Sequence, residues 1–270
     1  MGLLKGDPPQ RYLELIKQFR LIDDTFFNIC LDDNNECMQL LLRIFLKRND
    51  IIVKEVITQR SAHNLYGRGV RFDVIAVDSV GKIYNVEIQR SDEGANPKRA
   101  RFNSVLIDSR EINKNTEYED FPETWVIFVT EKDLFGAQLP MYHIERTITE
   151  LNQDFDDAAH IIYVNGEYRG NDALGRLMQD FFCPDPAKMH YPELAKRVDF
   201  FKHESKGVNV MCEIMEKLQA EGRREGRLQA TLDFVTNLLA MKMPYSQIAQ
   251  ATNISVEEVE KIAKERNLSY

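Results

Sequence analysis

The stretch "RFDVIAVDSVGKIYNVEIQR", residues 71–90, decides how the rest of the chain is read. Two runs rich in β-branched and aromatic residues flank "DSVGK" (78–82), a short connection containing Gly81, which predicts an antiparallel hairpin. Along the second run Tyr84, Val86 and Ile88 alternate with Asn85, Glu87 and Gln89, the period of a strand. Along the first, Arg71, Asp73, Ile75 and Val77 share one face, and Phe72, Val74 and Ala76 share the other. Both faces turn apolar after Asp73, so its carboxylate is expected at the edge of buried structure. There it needs a cation or several hydrogen bonds. The hairpin would bring Glu87 alongside, so that two carboxylates from adjacent strands converge on one divalent ion, with Gln89 projecting to the same side. Alternation alone leaves a second reading open. In it Glu87 and Gln89 line the water-facing side of an antiparallel strand, and Asp73 pairs with Arg71 or Arg60.

Working outward, "IIVKEVITQR" (51–60) is a further β-rich run. Before it, "PQRYLELIKQFRLIDDTFFNICL" (9–31) predicts an amphipathic helix. "NNECMQLLLRIFLKRN" (34–49) predicts another, capped at Asn34 or Asn35, with Met38, Leu41, Leu42 and Phe45 at helical spacing. After the hairpin, "NPKRARFNSVLIDSREI" (96–112) reads as a helix opened by Pro97, and "ETWVIFVT" (123–130) as a strand buried on both faces. "MYHIER" (141–146) and "AHIIYVNGEY" (159–168) are further strands, and "NDALGRLMQDFF" (171–182) is a helix. Helix, three strands, helix, strand is the order of an α/β (α+β) domain and not of a doubly wound sheet. "CPDPAKMHYP" (183–192) is linker-like and sets the expected boundary, with a first domain over 1–185 and a helical region over 186–270.

In that helical region Leu228, Leu232, Val235 and Leu239 form a stripe. "MPYSQIAQATNI" and "SVEEVEKIAKER" follow as short helices, the second opened by a capping box of Ser255 and Glu258. Ile248, Ala249, Ile254, Val259 and Ile262 fit the core of a helix-turn-helix. Glu257, Glu258 and Glu260, however, would meet DNA phosphates with like charge. Packing or self-association is the competing role for this end.

A net charge of −8 excludes a dedicated non-specific nucleic-acid binder, yet allows an enzyme with a local basic groove, such as Arg90, Lys98, Arg99, Arg101 and Arg110 would supply. The four cysteines are scattered without a CxxC pair and the histidines without HExxH, so any metal would be held by oxygen ligands. The densest apolar run, "LLLRIFL", is far short of a membrane span and contains Arg43. The start "MGLLKGDPPQ" lacks a secretory pattern, and a cytoplasmic location is expected.

An Asp, a hairpin and then Glu-x-Gln resembles the motif of the PD-(D/E)XK nuclease superfamily, in which (D/E)-x-K follows the first acid on the next strand. The basic helix after it, "WVIFVTEKDLFG…PMYHIER" and the helical tail resemble the recombination-promoting nuclease/transposase branch, over most of the chain. The resemblance implies a restriction-endonuclease-like core and a DNA endonuclease that uses Mg²⁺ or Mn²⁺ in recombination or on mobile elements. Asp73 and Glu87 would be metal-binding carboxylates, with the Ile88 carbonyl as another ligand. Gln89 stands where the superfamily has Lys, able to orient water but bringing no charge. Glu36, on the helix before the first strand, would bind a second metal or a metal water, unless it only answers the helix dipole. Arg99 and Arg101, with Arg60 and Arg71, would contact phosphates. Duplex symmetry points to a homodimer, formed through the helical C-terminal region. A degenerate nuclease fold that binds DNA or protein without cutting, and a helix-mediated interaction protein, are the alternatives.

Overall fold

The computed structural model describes residues 8–62, 70–90, 94–111 and 115–268. In chain order the elements are α1 (Gln10–Gln18), α2 (Asp24–Leu31), α3 (Asn35–Leu46), β1 (Val53–Ala62), β2 (Val70–Asp78), β3 (Ile83–Gln89), α4 (Pro97–Glu111) and β4 (Thr124–Thr130). They continue with β5 (Met141–Ile144), β6 (Thr147–Ile148), β7 (Gln153–Asp154), β8 (Ala159–Asn165), α5 (Ala173–Phe182) and α6 (Pro192–His203). Then come α7 (Ser205–Ala240), α8 (Tyr245–Thr252) and α9 (Val256–Glu265). The chain divides into two compact units, Pro9–Val208 and one that includes Asn209–Tyr270.

The first unit is built on a mixed six-stranded sheet, ordered β1-β2-β3-β4-β8-β5. β1, β2 and β3 run antiparallel in turn, while β4 lies parallel to both β3 and β8. The β2–β3 turn is closed by Asp78, whose Oδ1 accepts the N–H groups of Val80 and Lys82 at 2.9 Å. Gly81 takes a φ of 88° there, a left-handed conformation that glycine adopts without strain. Parallel strands cannot be joined by a tight turn, so the chain leaves β3, crosses through α4 and returns as β4. Having parallel neighbours on both sides explains the unbroken apolar run of β4: Val126, Ile127, Phe128 and Val129 are all fully buried.

On one face of the sheet Ala100, Leu106 and Ile107 of α4 cluster with Ile75, Ile83, Val126, Phe128 and Tyr163. α2 and α3 pack on the β1–β3 half, with Phe26, Phe27, Met38, Leu41 and Phe45 buried. α6 packs against α1, α2 and α3 and buries Leu194, Val198 and Phe201, so the compact unit continues past the linker-like segment to Val208.

Where one amphipathic helix was expected over 9–31, there are two, α1 and α2. The break has two fastenings. Asp23 turns back to accept the Arg20 N–H at 2.8 Å, and the buried Lys202 ammonium donates to the carbonyls of Lys17, Phe19 and Pro184. The β6–β7 ribbon was not anticipated, being two residues per strand.

In the second unit, α7, α8 and α9 share a core of Val235, Leu239, Ile248, Ala249, Val259 and Ala263. Ile254 and Ile262 pack partly buried against it. The capping box is formed: Ser255 Oγ accepts the Glu258 N–H at 3.2 Å, and Glu258 accepts the Ser255 N–H at 3.1 Å. The expected stripe is only half a core contact, since Leu228 is 60% exposed.

Candidate active site

Continuing the Val74–Val86 register by one residue sets Asp73 opposite Glu87, on the α4 side of the sheet. The two strands are stitched there by side chains. The Asp73 N–H donates to Glu87 Oε1 at 3.2 Å, and the Ile88 N–H donates to Asp73 Oδ2 at 3.0 Å. Asp73 is 9% exposed and Glu87 not at all, so the polar row of β3 does not face water. It faces α4.

That helix begins where Asn96 Oδ1 accepts the Lys98 N–H at 2.8 Å, which aims its next turns over β3. Arg99 and Asn103 lie four residues apart on one helical face. The Arg99 guanidinium donates to Glu87 Oε2 at 2.7 Å and to Gln89 Oε1 at 2.8 Å, and sits 5.6 Å over the Phe128 ring. Asn103 donates to Asn85 Oδ1 at 3.1 Å, and Asn85 donates to Glu87 Oε1 at 2.9 Å. A buried chain of amides thus orients Glu87 from behind, while Arg99 meets it from the front. Gly94 closes the site: its carbonyl accepts from Arg99 at 3.0 Å. A Cβ on Gly94 would stand 1.9 Å from the Gln89 carboxamide carbon.

Electrostatically the site holds more acidic groups than cations. Burial, followed by the charges of Glu87 and Asp24, pushes the Asp73 carboxyl up to about 8. Burial raises Glu87 as well, against the lowering effects of Asn85 and Arg99. One guanidinium between two buried carboxylates leaves them short of positive charge. The donors are hard carboxylate oxygens and amide groups, the chemistry that suits Mg²⁺ or Mn²⁺. Among the described residues no three His, Cys, Asp or Glu side chains gather into a cage. A Mg²⁺ site of one or two carboxylates, completed by water and phosphate, needs no such cage. The donor set fits that ion.

The other expected site residues are dispersed. Glu36 is exposed in the first turn of α3, and the helix carboxylate felt by Asp73 and Glu87 is Asp24 in the first turn of α2. Arg60 lies on β1 opposite Phe72, and Arg71 is exposed on β2 opposite Ser61. The cation acting on Asp73 is Arg99. Arg101 is exposed on α4 and makes no ion pair among the described residues. Beyond the site, Arg90 bridges Asp23 at 3.0 Å and Glu131 at 3.2 Å. Reading along the sequence missed Asp24, Asn85, Gly94 and Asn103. The i, i+4 spacing of Arg99 and Asn103 was a signal for the last of these. Nothing local distinguishes Asp24 from its neighbour Asp23.

The hairpin, the crossover helix and the parallel strand beside it, with helices on both faces, define a PD-(D/E)XK-type α/β core. The chain belongs to the PD-(D/E)XK nuclease family transposases, whose family model matches residues 28–167, just over half of its length. A comparison with curated proteins and one with solved structures found no match. The matched region contains Asp73, Glu87, Gln89 and Arg99; Asp24 precedes it. Among the described residues no helix is long and apolar enough to cross a membrane.

Proposed function

We propose that this chain is a DNA endonuclease that hydrolyses phosphodiesters with a divalent cation, Mg²⁺ or Mn²⁺, in recombination or on mobile elements. The observation that carries the reading is the pair of facing, buried carboxylates, Asp73 and Glu87, cross-bonded by backbone N–H groups and short of positive charge. Asp73, Glu87 and the Ile88 carbonyl would hold the ion. When bound, the ion supplies Lewis-acid polarisation of a phosphate oxygen and a lowered pKa for water. Gln89 orients the attacking water or the phosphate through its carboxamide, whose oxygen end is already fixed by Arg99. Arg99 brings the positive charge that Gln89 lacks, 2.8 Å from the place where the superfamily carries lysine. Arg101, Arg60 and Arg71 contact phosphates farther along the strand. Glu36 is too exposed to share the buried pair's charge, and Asp24 takes that part in this reading. The enzyme works as a cytoplasmic protein, with its nuclease domain followed by a helical region through which it forms a homodimer.

One observation favours a second reading. Arg99 already satisfies Glu87 Oε2, so the pair has a partner without any metal, as a DNA- or protein-binding module that does not cut would require. Plasmid cleavage in Mg²⁺, Mn²⁺ and EDTA, comparing wild type with Asp73→Ala, separates the two. The nuclease reading expects metal-dependent nicking that the variant loses. Cleavage that survives in Asp73→Ala, or is absent from wild type in both metals, removes it.

A further inference from the structure

The sheet carries the site's row of side chains onward. Glu87 on β3 pairs in register with Phe128 on β4, and Phe128 pairs with Tyr163 on β8. The Phe128 and Tyr163 rings stack with centroids 5.4 Å apart, and Phe135 meets Tyr163 edge-on, also at 5.4 Å. An aromatic row therefore runs from beneath Arg99 to a second place on the same face, two strand spacings, or about 10 Å, from Glu87.

A cavity of about 300 Å³ opens there, with Pro97, Ile144, Phe135 and Tyr163 among its walls and Arg101 and Arg146 also lining it. That is the small end of the range for ligand pockets, suited to one planar ring system and not to a base pair. The two arginines differ. Arg146 is tied to Asp157, whereas Arg101 is exposed and makes no ion pair among the described residues. Phe135 remains 47% exposed although it contacts two aromatic rings, Tyr142 and Tyr163, so one of the walls is an aromatic group still accessible to a stacking partner. Tyr163 adds a second feature: its hydroxyl is buried and has no hydrogen-bond partner among the described residues. Buried polar groups are ordinarily paired, so such a group calls for an explanation.

We infer that this cavity receives an unpaired nucleobase of the DNA strand whose neighbouring phosphate lies at Asp73 and Glu87. The inference rests on the nuclease reading and adds to it a preference for single-stranded or frayed DNA. Stacking on an exposed aromatic ring tolerates any base, and an exposed arginine beside it suits the adjoining phosphate. A base two strand spacings from the carboxylates is within reach of a neighbouring nucleotide of the same strand. A paired base must first leave its stack to enter, which costs energy that an unpaired base does not meet.

The test is binding of short single-stranded oligonucleotides in Ca²⁺ at fixed salt, followed by fluorescence anisotropy. One probe carries 2-aminopurine, whose emission is quenched by stacking; the other carries an abasic site at the same position. Wild type is expected to prefer the base-bearing probe by roughly tenfold or more and to quench it. Phe135→Ala, at a half-exposed position and with its melting temperature checked against wild type, should lose both the preference and the quenching. Arg101→Ala should weaken both probes alike. DNA binding by wild type with no preference, or a preference unchanged in Phe135→Ala, overturns the pocket and leaves the nuclease reading standing. Absence of DNA binding by wild type removes both.

Discussion

Gln89 and Asp73 differ in what their removal takes away. Asp73→Ala and Glu87→Ala each delete a charged ligand, so calorimetric Mn²⁺ binding and single-turnover cleavage should be lost together. Gln89→Ala deletes an orienting amide. It should slow cleavage on the order of 10²-fold, as loss of a transition-state donor does elsewhere, while Mn²⁺ affinity stays near that of wild type. A Gln89→Ala enzyme as fast as wild type would leave Glu-x-Gln without mechanistic content. Gly94 gives a sharper probe of the same contact. Its added Cβ would overlap the carboxamide end of Gln89, a flexible group that can swing away, so Gly94→Ala should fold normally. The swing breaks the Gln89–Arg99 hydrogen bond. Cleavage should fall toward the level of Gln89→Ala, with the melting temperature little changed. Full activity in Gly94→Ala would show that the bond to Arg99 does not matter.

At the scale of elements, local chemistry set the ends of several helices. Asn34 accepts the Cys37 N–H at 3.0 Å and Ser255 completes its capping box, both as side chains of those types do at a first turn. The long helix α7 is different. Residues 220–230 are exposed throughout and include Gly222 and Gly226, each costing a helix roughly 1 kcal/mol relative to alanine. With no buried side chain among these described residues to offset that cost, this stretch of α7 should open more readily than the ends. Limited trypsin digestion should therefore cut first among Arg223, Arg224 and Arg227. Gly222→Ala with Gly226→Ala should slow that cut several-fold. First cleavage elsewhere would place the weak point of the chain in another element.

For the whole molecule, the buried pair links stability to pH. Free aspartate ionises near 3.9 in an unfolded chain, whereas the Asp73 carboxyl is pushed up to about 8 by burial and its acidic neighbours. Between those values the native state holds a proton that the unfolded state has released. Raising the pH through this window therefore lowers the stability of the metal-free protein, by on the order of 1 kcal/mol per unit. Below the window the effect vanishes, and above about 8 it is complete. In EDTA the melting temperature should fall as pH rises from 5 to 8, at roughly 2–4 °C per kcal/mol, and Asp73→Asn should flatten the fall. Mn²⁺ should raise the melting temperature more at pH 8 than at pH 5.5, because it competes with that proton. Equal slopes in wild type and Asp73→Asn would remove Asp73 as the cause.

The sequence alone determined what depends on neighbours along the chain. The alternation of Tyr84 to Gln89 makes a strand, "DSVGK" makes the turn, and antiparallel pairing then puts Asp73 and Glu87 on one face. The apolar run from Val126 to Val129 makes a central strand because no water-facing residue interrupts it. What alternation cannot say is what covers a face. The row Asn85, Glu87, Gln89 would read the same in water as it does under α4, and only the β3–α4–β4 crossover brings Arg99 and Asn103 onto it. The break between α1 and α2 was hidden for the same reason, since one of its fastenings, Lys202, comes from α6, far along the chain. Asp24 is a surface-type residue by sequence, and its influence on Asp73 arises from the way α2 packs on the sheet. Hydrogen bonds and charges act over distance in space, and tertiary packing alone fixes that distance for residues remote in sequence.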